Sequence, residues 1–310
     1  MRVQEHKAVP TRSQERRAVL IVNPNAGRNR AAAAREVETF SRRVLDRNVA
    51  VRVEQTAGPD DAARLAAEAV SVGATDLVVR GGDGTVHEAI QGLVGASVRL
   101  MVWPAGTANV LARQLKSPSD AEEAAEVFLR GNTRRISLGR ATVERTGERR
   151  YFFMLAGVGL DASVVSHVRP RLKRRVGEAA FWYAGLGHLA HWEPREFTVE
   201  IEGERLAATY AAIGKAPWYG GGLKITPRAR LDAPAFEVCV INSHSRLRYL
   251  RLLAQAMRGG AHEGARGVTF RTATRLRCAG DVQVQADGEL IGELPMTFEI
   301  VPEGVEVIVP

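Results

Sequence analysis

The sequence predicts two domains of different class: an α/β domain with a parallel sheet flanked by helices over residues 18–133, then a mainly-β sandwich domain over 134–310. Three observations carry this. The chain has 310 residues, more than the roughly 250 to 300 at which a single core stops growing. Strand and helix patterns alternate up to about residue 133, the signature of βα units. Beyond it, short β-rich segments separated by turn residues take over.

Ala18 to Asn23 (AVLIVN) reads as a buried strand, and Ala33, Val37, Phe40 and Val44 then repeat at helical spacing. Val49, Val51 and Val53 alternate as a second strand; Pro59-Asp60-Asp61 opens a helix that Gly73 is suited to cap. Asp76 to Arg80 is the third strand, and Thr85 to Glu88 fits a capping box ahead of Ile90 and Leu93. Arg99 to Trp103 is the fourth strand. It leads into the loop PAGTAN, 104–109, and a helix boxed by Ser119 to Glu122 and closed at Gly131. Such alternation implies a mostly parallel sheet covered on both faces. The second half offers strands at Arg134 to Val143, Tyr151 to Leu155, Phe197 to Ile201, Ala207 to Ile213, Phe236 to Ile241, Val268 to Leu276, Val282 to Ala286 and Met296 to Val301, with helical insertions near 174–192 and 246–257. The last strand has room to return beside the first domain.

Composition narrows the function classes. A net charge of +8 calls for an anionic partner, whether nucleic acid, nucleotide or lipid surface. No nucleic-acid module is recognisable, so a specific nucleic-acid partner is not expected. No stretch approaches about 18 consecutive apolar residues, and residues 1–17 read as a disordered basic tail without an apolar signal core. A cytoplasmic location follows as the expectation. Cys239 and Cys278 lack CxxC spacing and read as buried thiols. His87-Glu88 starts an HExxH-like string, but Gln91 stands where the second ligand belongs. His188 and His191, three apart on an expected helix, leave metal binding open beside simple packing.

The segment VVRGGDGTVHE, 78–88, ends a strand in glycines and begins a helix. In parallel α/β sheets ligands bind at such turns, where free N–H groups and the helix dipole favour anions. Gly81, Gly82 and Gly84 would let a phosphate approach the backbone closely, although a tight turn without ligand uses glycine equally well. PAGTAN, at the corresponding end of the next strand, tips the balance toward a phosphate or nucleotide cleft. The string lacks the third glycine of GxGxxG, and GK[ST] occurs nowhere, which disfavours a Rossmann dehydrogenase and a P-loop enzyme. Asp83 among the glycines makes sense if a divalent cation bridges it to phosphates. Alternatively it caps the helix that follows.

In order along the chain, IVNPNAG (21–27), GGDGT (81–85) with Glu88, PAGTAN with Ala112-Arg113, LAGVGLDA (155–162), YGGG (219–222) and DGE (287–289) resemble the landmarks of the diacylglycerol kinase catalytic domain family, which includes bacterial lipid kinases and the sphingosine and ceramide kinases. NAD kinases share GGDG, but the ordered set is specific. The resemblance implies a phosphofructokinase- or NAD-kinase-like first domain, ATP and Mg²⁺ in the cleft between domains, and γ-phosphoryl transfer to a lipid hydroxyl, diacylglycerol or a related lipid. By position it implies Asn23, Thr56, Gly82, Asp83, Gly84, Thr85, Glu88, Gly106, Thr107 and Asn109 at the nucleotide. It implies Asp287 as general base with Glu289 beside it, and a metal at Asp83, Asp232 and Glu237. The sphingosine kinase pattern would give the base to Asp83 instead. A hydroxyl nucleophile needs a carboxylate within reach, while loops and metal position and neutralise; taken alone, Asp287-Gly288 would be a hairpin turn pair. The chain departs from the family pattern at Asp232-Ala233-Pro234-Ala235-Phe236-Glu237, where many relatives have DDG and a further aspartate, and at Val110, where aspartate is frequent.

The run RPRLKRR, 169–175, precedes the aromatic stretch AAFWYAGLGHLAHW, 179–192, and resembles an interfacial membrane element. It reads equally as a solvated charge run before a core helix. A lipid substrate and peripheral association with the anionic inner face of the membrane are expected, and a homodimer is compatible. Two other readings stand beside the lipid kinase: an NAD kinase-like enzyme, and a non-catalytic nucleotide- or lipid-binding regulator of the same fold.

Overall fold

The computed structural model describes residues 16–27, 29–167, 192–219, 223–258 and 265–310. Nearly all of the expected tail, the basic insert with its aromatic continuation to 191, and the glycines of YGGG lie outside the described residues. The first half runs β1 (Arg17–Val22), α1 (Arg30–Leu45), β2 (Ala50–Gln55), α2 (Asp61–Ser71), β3 (Asp76–Gly81), α3 (Asp83–Leu93), β4 (Arg99–Pro104), α4 (Val110–Leu115) and α5 (Ala121–Arg130). Strands β2-β1-β3-β4 are parallel neighbours in that order. Phe40, Trp103 and Phe128 fill one face, Phe40 lying 5.0 and 5.7 Å from the other two ring centroids. Ile21, Leu77, Val79 and Ile90 fill the other. Burial on both faces is why β1, β3 and β4 are continuous apolar runs while the edge strand β2 alternates.

Side-chain caps fix two helix starts: Asn29 accepts from the Ala31 and Ala32 N–H groups of α1, and Asp120 from Glu122 and Glu123 of α5. The capping box expected at Thr85–Glu88 does not form, because α3 begins at Asp83 and both residues lie inside it. Glu88 Oε2 instead accepts from Ala62 N (3.3 Å) at the start of α2, where Asp60 makes no side-chain cap.

The second half runs β5 (Thr133–Val143), β6 (Arg149–Phe152), β7 (Leu155–Val158), α6 (Leu160–His167), β8 (Phe197–Ile201), β9 (Glu204–Ala208), β10 (Tyr210–Gly214), β11 (Trp218–Tyr219), β12 (Leu223–Lys224), β13 (Phe236–Ile241), α7 (Arg246–Arg258), β14 (Val268–Ala273), β15 (Arg275–Gly280), β16 (Gln283–Ala286), β17 (Glu289–Glu293) and β18 (Met296–Ile308). A six-stranded sheet ordered β14-β13-β10-β7-β16-β17 packs on the sandwich part of a ten-stranded sheet. β18 pairs with β5 and, through Val307 opposite Leu100, lies parallel to β4. One sheet thus runs from the α/β half into the sandwich.

Three expected strands, 151–155, 207–213 and 268–276, are each two strands, broken at Phe153-Met154, Thr209 and Thr274 where the chain leaves one sheet for the other. Both sheets line one core, in which Phe152 stacks on Phe236 at 5.7 Å, so the apolar pattern continues through each corner. No helix among the described residues is long and apolar enough to cross a membrane. Cys239 and Cys278 are buried free thiols, pushed up in pKa by that burial.

Candidate active site

The loops after β1, β3 and β4 meet at the same end of the parallel sheet. Ala105 N donates to Gly81 O (2.9 Å). A Cβ placed on Gly106 would stand 2.6 Å from Gly82 Cα, so the two glycines press backbone on backbone and nothing larger fits at Gly106. From the first loop, Asn23 Nδ2 donates to Thr85 Oγ1 (2.9 Å), and its Oδ1 accepts from Asn25 N (2.9 Å). Thr56 is buried, its N–H bonded to Val22 O (3.0 Å). Asn109, in the left-handed region at φ 47°, turns both polar atoms back onto Gly106, accepting from its N (3.0 Å) and donating to its O (2.7 Å). Thr107 O accepts from Arg113 Nη2 (3.4 Å). Asn109 therefore shapes the loop. Gly82 stands at the N-terminus of α3 without a side-chain cap, which leaves the first amides of that helix for an anion.

Asp83 does not cap its own helix: Oδ1 accepts from Leu111 N (3.4 Å) at the start of α4. Burial pushes its carboxyl up, the Val110 and Leu111 amides pull it back, and the charge of Asp287 adds to the rise. That last influence reports the approach of the sandwich to the glycine loops. Asp287 occupies the β16–β17 turn at φ 49°. Its Oδ1 accepts from Met154 N and Leu155 N (both 3.0 Å), and its Oδ2 accepts from Phe153 N (2.9 Å) and from His87 Nδ1 (3.2 Å) on α3. The carboxylate is an acceptor, which assigns the proton to His87 Nδ1. The Asp287 side chain has no exposed surface, and its two oxygens share four donors. Glu289 is 44% exposed, with Oε2 3.7 Å from His87 Nε2. Its Oε1 lies 3.6 Å from where a Cβ on Gly84 would be. Asp287, expected as the base, is thus enclosed, and Glu289 beside it faces the loops. Burial lowers the pKa of His87, but the hydrogen bond to Asp287 and the charges of Asp287 and Glu289 outweigh it and raise it overall.

Residues 17–141 match the diacylglycerol kinase catalytic domain, and residues 155–309 match the YegS C-terminal NAD kinase beta sandwich-like domain. A diacylglycerol kinase of Mycobacterium tuberculosis (strain ATCC 25618 / H37Rv) is 33% identical over 296 residues, covering 94% of each chain. The chain belongs to the diacylglycerol kinase family. A diacylglycerol kinase of Bacillus subtilis (strain 168) is 26% identical over 304 residues, 95% of this chain and 97% of that one. The crystal structure of a diacylglycerol kinase from Bacillus anthracis str. Sterne superposes with a TM-score of 0.72 over 97% of this chain and 98% of that one; at 19% identity it speaks for the fold alone.

Within this kinase family the segment from Asp232 to Glu237 was expected to bind metal, and here its acids are already spent. Arg230 forks onto Asp232 (both bonds 3.1 Å) and holds its carboxyl low, with Arg134 at 3.4 Å. Glu237 accepts from Arg228 N (2.6 Å) and Nε (3.0 Å). Behind the loop lies a buried cation, Lys215: it donates from Nζ to Ser137 Oγ (2.6 Å), Arg230 O (3.2 Å) and Ala233 O, and burial pushes its pKa down to about 8. Among the described residues no three His, Cys, Asp or Glu side chains form a metal-holding group. Asp232 and Glu237 do not fit a metal ion. Sequence reasoning missed Lys215 and the pairing of His87 with Asp287, each decided by partners far away in the chain.

Proposed function

We propose that the chain transfers the γ-phosphoryl group of ATP to the hydroxyl of diacylglycerol or a closely related lipid, with Glu289 as proton acceptor. The observation that carries this reading is Glu289 poised over the Gly84 backbone while Asp287 and His87 hold its turn from behind. The free amides at the start of α3 bind phosphate oxygens, and Gly82 against Gly106 lets them approach the backbone. As the lipid oxygen attacks the γ-phosphorus, its proton passes to Glu289, the bond to the bridging oxygen breaks, and ADP leaves. His87 and Asp287 keep the Glu289 turn in register with the loops. Asp83, a buried carboxyl whose charge is opposed by burial and by Asp287, fits a divalent cation among the phosphates. When bound, Mg²⁺ would neutralise phosphate charge there.

Labelled γ-phosphate transfer to diacylglycerol, sphingosine, ceramide, phosphatidylglycerol and NAD tests this. Label is expected on diacylglycerol and absent with Gly106→Ala, whose new methyl would meet Gly82 Cα at 2.6 Å. Label on NAD alone, or on no lipid, overturns the reading.

A further inference from the structure

Helix α7 has an inner and an outer face. Tyr249, Leu252 and Ala256 are buried in the domain, Tyr249 meeting Trp192 edge-on at 5.1 Å. Outward lie Leu247 and Leu250, 57% and 40% exposed, on one stripe with the exposed Arg251. The helix sequence, RLRYLRLLAQAMR, carries arginines and no acidic residue. Beside α7 packs β12, paired to β11, which presents Trp218 at 42% exposure with Lys224 Nζ 4.7 Å from its ring. Leucines and a tryptophan turned to solvent among cations do nothing for the core.

The patch adjoins the cleft. Lys215 N and Ala216 N both donate to Met154 O (2.7 and 3.1 Å), and Met154 N binds Asp287 Oδ1 (3.0 Å). Trp218 is two residues beyond Ala216, so β11 springs from the backbone that holds the catalytic turn.

We propose that the outer face of α7 and the paired strands β11 and β12 dock on an anionic phospholipid bilayer, Leu247, Leu250 and Trp218 entering the interfacial layer and Arg251 and Lys224 meeting headgroup phosphates. The net charge of +8 complements such a surface. A second copy of this chain fits less well, because a two-fold interface would set like charges opposite each other. The placement deepens the lipid-kinase reading, since a bilayer-held acceptor would enter beside Asp287 and Glu289.

The test is co-sedimentation of the full chain with phosphatidylcholine vesicles with and without phosphatidylglycerol, in parallel with Leu247→Glu/Leu250→Glu, Trp218→Ala and Arg251→Glu. Binding is expected only with phosphatidylglycerol, and the double variant is expected to lower the bound fraction about tenfold. If the double variant fails to fold, as its thermal midpoint would reveal, the two single variants carry the test with smaller losses. Wild-type binding by every folded variant overturns the proposal, as does equal binding to neutral vesicles. A wild-type dimer that the variants dissociate without changing vesicle binding assigns the face to a second copy and equally overturns it. Because sedimentation needs no turnover, wild-type chain that binds vesicles through this face yet phosphorylates no lipid sinks the kinase reading and leaves the docking surface standing.

Discussion

Two acidic segments of the sandwich domain are opposites as structures. At Asp287-Gly288-Glu289 one carboxylate is enclosed by backbone amides and a histidine from the other domain, and the second is left open beside the glycine loops. At Asp232 to Glu237 both carboxylates are neutralised by arginines just before the segment, and a buried lysine fills the space behind. The difference teaches that an acid's role is set by what satisfies it. Amide donors orient a carboxylate and retain its charge, whereas arginine forks cancel the charge that a metal or phosphate site requires.

Glu289→Gln is the strongest way to break this contrast. Losing the proton acceptor should lower kcat by roughly 10² to 10⁴, the usual weight of general base catalysis. KM for ATP should barely move, because the Gly82 and Gly106 backbones are untouched. A kcat near wild type in a steady-state transfer assay would return the base to another group, Asp83 first. Asp287→Ala comes next and acts on stability. It leaves three buried amides unpaired at about 1 to 3 kcal/mol each, so a urea melt should show a loss of at least about 3 kcal/mol. A loss under about 1 kcal/mol would mean that the turn re-forms without its carboxylate.

His87 offers a subtler probe. Its folded pKa is raised, so the stability it adds is fully present below its unfolded value and is lost as pH rises through the folded one. The thermal midpoint of the native chain should therefore exceed that of His87→Asn most at pH below about 6.5 and by less above it. A gap that does not vary with pH would show that His87 contributes packing alone.

How much of this was legible in the sequence follows from the range over which each feature is decided. The parallel sheet was readable because continuous apolar runs and glycine-closed helices are local patterns, and β1, β3 and β4 carry them. The three sheet-switching corners were not, since a strand crossing between sheets over one core keeps its alternation, and Thr209 gives no local sign that it bends. The glycines were legible because Gly82 and Gly106 follow the ends of neighbouring strands. The orientation of the acids was hidden: the His87–Asp287 bond spans 200 residues, and Lys215 reaches Ser137 across 78. The single hint was that the chain keeps Asp232 but reads Ala233-Pro234 where many relatives continue with a second aspartate and a glycine.

The smallest expected effect sharpens the contrast from the other side. Asp232 is about one third exposed, and its partner Arg230 is mostly exposed, so their ion pair is screened by water and adds little to the fold. Asp232→Asn should shift the thermal midpoint by no more than about 3 °C and leave kcat within about twofold. More tellingly, Mg²⁺ added to the nucleotide-free chain should leave the midpoint of native and variant protein alike unchanged. Lys215 already supplies a positive charge to the carbonyls of Arg230 and Ala233, and a second cation beside it would face repulsion in place of ligands. A Mg²⁺-dependent rise in the native chain that Asp232→Asn abolishes would show that the arginine forks open to admit metal. The two segments would then differ in occupancy and share one chemistry.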